Sequence, residues 1–131
     1  MAPKVATQGV YSITATRKGL DNTPNQFELA NMKEIAEQVF EPLREWVGGP
    51  IRINSFYRGP ALNKAIGGST SSQHCKGQAA DIEVPGVANG DVAEWIVENC
   101  DFDQLILEFY TPGIPDSGWV HVSYVGEENR K

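Results

Sequence analysis

Seven apolar residues, Met32, Ile35, Ala36, Val39, Phe40, Leu43 and Trp46, recur at intervals of three and four. That repeat is one face of an α-helix, and a stripe of this width marks a helix packed on a core. Ahead of it, Thr23-Pro24-Asn25-Gln26 predicts the start: Thr23 caps, Pro24 takes the first helical position and Gln26 reaches back to complete a capping box. Pro42 lies inside the pattern and should kink it or break its hydrogen bonding locally. Gly48-Gly49-Pro50 ends it.

After the helix the period changes from 3.6 to two. Ile51 to Ser55 alternates as a strand, Pro60 to Ile66 predicts a short helix stopped by Gly67-Gly68, and Ala79 to Val84 predicts a second strand. Asn89 or Asp91 can cap a helix running through Val92, Trp95, Ile96 and Val97 to about Asn99. Strands at Leu105 to Phe109 and Trp119 to Val125 follow, joined by a Pro/Gly-rich segment. Helix, strand, helix, strand, helix, strand, strand is an α+β order with a final antiparallel pair. The chain shows no repeat and no linker, and its 131 residues suit a single domain spanning 1–131, large enough to fold without a structural metal or disulfides.

Strand alternation sorts the polar residues. Leu105, Leu107 and Phe109 belong on a core face, leaving Gln104, Ile106 and Glu108 on the other. Val120 and Val122 oppose Trp119, His121 and Ser123, and Ala80 and Ile82 oppose Ala79, Asp81 and Glu83. If these strands share a sheet, Asp81, Glu108 and His121 converge, and His74 arrives from the loop seven residues before Asp81. Two imidazoles and a carboxylate suit zinc with a fourth position left for water, the catalytic rather than the structural pattern. Each residue has an ordinary alternative: a surface histidine, a capping aspartate, a solvated glutamate, or Arg58 as a surface partner for an acid.

Composition narrows the partners. The formal charge is −6 with no run of lysines or arginines, which disfavours nucleic acid and anionic membranes. No stretch approaches the ~20 apolar residues of a membrane span, and Met1 to Val10 has no apolar core of an export signal. The two cysteines, Cys75 and Cys100, are expected to be free thiols. Cys75 follows His74 directly, so its side chain should diverge from it and pack rather than ligate.

Ser72-x-His74-x-x-Gly77-x-Ala79-x-Asp81, with Trp119-Val120-His121-Val122-Ser123 some forty residues later, resembles the M15 peptidases. These are zinc enzymes of the D-alanyl-D-alanine carboxypeptidase and phage endolysin type. Arg52-Ile53-Asn54-Ser55-Phe56-Tyr57-Arg58-Gly59-Pro60-Ala61-Leu62-Asn63, Asn22-x-Pro24 and Phe102-Asp103-Gln104-Leu105-Ile106-x-Glu108 extend the likeness over nearly the whole chain, to the short single-domain branch.

The resemblance implies the hedgehog/DD-peptidase-like fold, an antiparallel sheet with flanking helices and a Zn²⁺ site in an open groove. It makes His74, Asp81 and His121 the ligands and gives Arg58 the substrate or its developing oxyanion. The acid or histidine that many relatives carry just before the last ligand is replaced by Gly118 and Trp119. Glu108 is then the first candidate for general base and Asp116 the second. Ser72, Gln73, Trp119 and Ser123 are expected to shape the groove or support the ligands, with Ala79 at its rim.

The implied substrate is a peptidoglycan stem peptide or cross-link. The implied enzyme is a monomer with no nucleic-acid partner and no membrane insertion, cytoplasmic until it reaches the wall by holin-type release or in a phage particle. A catalytically silent peptide-binding relative, or a structural zinc protein of a phage particle, is the alternative.

Overall fold

The computed structural model describes residues 22–130. The expectations for the N-terminal export signal and for most of the polar segment before the first helix lie outside these residues.

The first helix, α1, spans Gln26–Ile35 and is capped by Asn25, not by Thr23. Asn25 Oδ1 accepts from the Glu28 N–H, and Glu28 Oε1 accepts from the Asn25 N–H, both at 2.8 Å. The capping box is thus two residues later than expected. Glu28 brings a negative charge to the positive end of the helix, which the neutral Gln26 would not.

Pro42 breaks the ladder as predicted. Lacking an N–H for the Gln38 carbonyl, it forces a π-turn over Ala36–Phe40, in which the Glu41 N–H reaches back five residues to the Ala36 carbonyl. The helix resumes as α2, Glu41–Val47, with Pro42 in its first turn, where no intrahelical donor is required. Six of the seven stripe residues are fully buried, and Trp46 is the exception. Its ring stays half-exposed and stacks on Trp95, with centroids 5.2 Å apart.

Four strands form one antiparallel sheet: β1 Arg52–Ser55, β2 Ala79–Glu83, β3 Leu105–Glu108 and β4 Trp119–Ser123, in the order β1-β2-β4-β3. Ala80, Ile82, Val120 and Val122 are fully buried and join the helical stripe in one core, with Leu105 and Leu107 packed against it. The core faces of β2, β4 and most of β3 are therefore those that alternation predicts.

Phe109 departs from it. It lies beyond the end of β3, its ring 77% exposed and its φ at +50°.

Two further helices close the fold: α3, Pro60–Ala65, and α4, Asn89–Asn99. Neither Asn89 nor Asp91 caps α4, whose cap residue is Ala88 with no side-chain bond. Asn89 is already helical and buried, and its amide donates instead to the Ser117 and Gly118 carbonyls at 2.9 and 3.2 Å. It pins the β3–β4 connection rather than the helix end.

Candidate metal centre

Register puts the site together. Asp81 on β2 is the direct partner of His121 on β4, and His121 is the partner of Ile106 on β3. Ser55 pairs with Asp81 across a bulge in β1. One row on the face opposite the core therefore reads Ser55, Asp81, His121, Ile106. One step along, the same alternation gives Arg52 opposite Glu83 and Trp119 opposite Glu108.

His74 enters from a 3₁₀ turn, Gln73–Lys76. Gly77 ends that turn at φ +71°, and a Cβ there would run into the Glu28 carbonyl and Met32 of α1. Only glycine tolerates both the left-handed backbone and this approach. The Ser72 hydroxyl accepts the His74 N–H at 3.2 Å, and the His74 carbonyl accepts the Arg58 N–H at 3.0 Å. The imidazole, 2% exposed, has no freedom left.

Its Nδ1 lies 2.8 Å from the Phe56 carbonyl oxygen. A carbonyl only accepts, so Nδ1 carries the hydrogen, and Nε2 is the nitrogen left to face the site, where it can donate through a proton or offer a lone pair to a metal. Nε2 lies 3.3 Å from Asp81 Oδ1, and His121 Nδ1 stands 3.0 Å from the same oxygen. Burial works to raise the Asp81 pKa, but hydrogen bonds from His121 and then His74 overcome it and hold the carboxyl well below the usual range. A lone pair aimed at a carboxylate is repulsive unless a cation, proton or metal, lies between them.

The three ligand atoms lie within 4.8 Å of one another. Zinc bonded at ~2.0–2.1 Å to tetrahedral ligands separates them by about 3.3 Å, so the His74–Asp81 spacing fits the ion. Two nitrogens and one oxygen leave a fourth position open. Cys75 is outside this group. Neither cysteine is in a disulfide, and burial pushes the Cys75 pKa up, which disfavours the thiolate a metal would take.

A family model described as Peptidase M15 matches residues 7–123. The chain belongs to the M15 peptidase family. No curated protein matches it. M15 peptidases are zinc-dependent, and the donor set fits that ion.

In this M15 peptidase Arg58 sits beside the His74 turn, with Nη2 3.5 Å from Ser72 Oγ and its buried Nε without a hydrogen-bond partner among the described residues. Glu108 shares the site's face but lies one row beyond the ligands, opposite Trp119. Asp116 is exposed and lines a groove of about 640 Å³ with Arg52, Glu83, Asn89 and Gly118. Neither Glu108 nor Asp116 belongs to the ligand group.

Three supporting roles change. Gln73 turns away from the metal group and donates to Asp103 Oδ2 at 2.9 Å. Ser123 is fully buried, and its Oγ accepts the Gln104 N–H at 2.9 Å, which fastens the start of β3 to β4. Ala79, paired with Ser123, is also fully buried and cannot form a rim.

Sequence reasoning missed the Phe56 carbonyl and Asp103. Asp103 is buried and takes a two-pronged ion pair from Arg130, Nε to Oδ1 at 2.9 Å and Nη2 to Oδ2 at 2.8 Å. The Asp103 carboxyl thereby links the chain's end to Gln73 and the His74 turn. A backbone acceptor leaves no trace in residue identity, and Arg130 lies 27 residues from Asp103 with no motif linking them.

Proposed function

We propose that this chain is a zinc metallopeptidase that hydrolyses peptide bonds in peptidoglycan stem peptides or cross-links. The observation that carries the metal reading is the pair of imidazole nitrogens at 3.0 and 3.3 Å from one Asp81 oxygen. His74, through the Nε2 left free by Phe56, Asp81 through Oδ1 and His121 through Nδ1 would hold the ion. When bound, zinc supplies Lewis-acid polarisation of the scissile carbonyl and lowers the pKa of a water towards ~7.

The protein's own groups do the rest. Glu108, on the same sheet face, would take a proton from the attacking water and return it to the leaving amine. Arg58, whose buried Nε lacks a partner among the described residues, would supply fixed positive charge for the oxyanion that develops on the carbonyl. Ser72 braces both, since its hydroxyl contacts the His74 N–H and the Arg58 guanidinium.

The peptidoglycan substrate rests on the likeness of the Ser72–Asp81 and Trp119–Ser123 segments to carboxypeptidases and endolysins of the family. A phage-type lytic role, with release to the wall from within the cell, follows the same likeness. No helix among the described residues is long and apolar enough to cross a membrane.

Mass spectrometry of muropeptides after incubation with zinc-loaded protein tests the reading. New fragments that vanish with a chelator and with His74→Ala support it and identify the bond. Identical muropeptide profiles with wild type, His74→Ala and buffer would overturn it.

A further inference from the structure

The end of β3 keeps large apolar groups in water beside the ligand row. Ile106, the direct cross-strand partner of His121, is 40% exposed. Trp119 lies two residues from His121 on the same face, and Phe109 rests against it with ring centroids 5.2 Å apart, tilted by 37°. Phe109 is 77% exposed and takes a left-handed backbone that a bulky residue rarely adopts.

Scattered exposed apolar residues are normal on any protein. Phe109 differs in being held in place. Gly118, itself at φ +67°, packs so closely on the Glu108 carbonyl and the Phe109 backbone that no side chain fits there. The β3–β4 connection is thus built around presenting this ring.

Resting on the peptidase reading, we propose that Ile106, Trp119 and Phe109 form a specificity-determining shelf. It takes an aliphatic side chain of the substrate residue adjoining the bond that lies over His74, Asp81 and His121.

Spacing supports the assignment. Successive same-face positions on a strand are about 7 Å apart, while an extended peptide advances roughly 3.4 Å per residue. A bond placed at the His121 level therefore sets the adjoining residue between Ile106, level with His121, and Trp119, one same-face step further on. Glu108 directly opposite Trp119 makes the shelf unfavourable for an acidic side chain. Aromatic faces and an isoleucine offer dispersion and water exclusion to an alkyl group.

The test uses synthetic alanine-based pentapeptides of D- and L-residues that differ only in one residue beside the cleaved bond: Gly, Leu or Asp. Wild type should favour Leu over Gly by about tenfold or more in kcat/KM, as apolar pockets do, and should disfavour Asp. Phe109→Gly removes the ring while suiting the left-handed backbone, so its Tm should equal or exceed that of wild type. Its Leu/Gly ratio should fall towards one.

Calorimetric titration of chelator-treated protein with the Leu peptide gives a readout free of turnover, and Phe109→Gly should weaken binding about tenfold. An unchanged Leu/Gly ratio or unchanged Kd would overturn the shelf, as would a Tm several degrees lower in Phe109→Gly, which would make the ring structural. If zinc-loaded wild type cleaves nothing yet metal-free protein binds Leu over Gly in a Phe109-dependent way, the shelf stands and the peptidase reading falls.

Discussion

The carbonyl of Phe56 accepts a hydrogen bond from Nδ1 of His74 at 2.8 Å, and this contact decides the chemistry of the other ring nitrogen. With Nδ1 committed as a donor, Nε2 is the nitrogen that faces Asp81 Oδ1. A divalent cation between the two would tie β2, β4 and the 3₁₀ turn together.

Chelation should therefore lower the melting temperature, and stoichiometric zinc should restore it. At a free zinc concentration 100 times Kd the gain is about 2.7 kcal/mol, several degrees for a chain of this size. Asp81→Ala should lose the zinc-dependent shift while leaving the folded state intact in circular dichroism. Zinc titrations monitored by scanning calorimetry check this, and an Asp81→Ala shift equal to that of wild type contradicts the site.

Glu108 and Asp116 compete for one role and occupy different surroundings. Glu108 lies on the ligand face opposite Trp119, whereas Asp116 is exposed in the groove beside Arg52 and Glu83. Glu108→Gln should cut kcat by about 10²–10⁴-fold, the range of a lost general base, with zinc content unchanged. Asp116→Asn should stay within about threefold of wild type. Steady-state kinetics on a released muropeptide bond, with metal content measured on the same samples, separate the two. The reverse ranking would move the base to Asp116.

Asp103 gives the fold an acid-sensitive clasp. Hydrogen bonds from Arg130, with Gln73 adding to them against the opposing effect of burial, lower its pKa to about 2, below the ~3.9 of an unfolded chain. A depressed folded pKa means the contribution is complete above about pH 4 and is lost as pH falls through about 2. Asp103→Asn should lower the melting temperature at neutral pH and remove part of the stability loss between pH 4 and 2. Thermal melts of both proteins across that window measure it, and parallel curves would exclude Asp103 as the source.

Much of the centre was legible because strand alternation and two scarce histidines constrain each other. Once Asp81 and His121 fall on the non-core faces of neighbouring strands, an antiparallel register needs only one setting to make them partners. The 3₁₀ turn was harder to read, since its shape depends on Ser72, on the Arg58 N–H and on Gly77 meeting α1. Two capping assignments failed for different reasons: Thr23 lost to the local Asn25–Glu28 box, whereas the Asn89 amide is taken by the Ser117 and Gly118 carbonyls. Gln73 and Ser123, each next to or near a ligand in sequence, serve the scaffold because Asp103 accepts from the Gln73 amide and the Ser123 hydroxyl accepts from the Gln104 N–H, although Ser123 shares the His121 face.

Phe109 shows the limit of periodicity most clearly, because the strand that should bury it ends one residue too early. The cause is Gly118 across the turn, where a Cβ would clash with the Glu108 carbonyl and the Phe109 backbone while the residue itself holds φ +67°. Gly118→Ala should therefore cost about 2 kcal/mol or more, combining left-handed strain with a backbone displacement. The damage should stay local, since Val120 and Val122 remain anchored in the core. Hydrogen exchange should show faster exchange at the Glu108 and Trp119 amides with little change in β2. Wild-type stability and protection in Gly118→Ala would mean that the turn has slack and that Phe109 is not held by it.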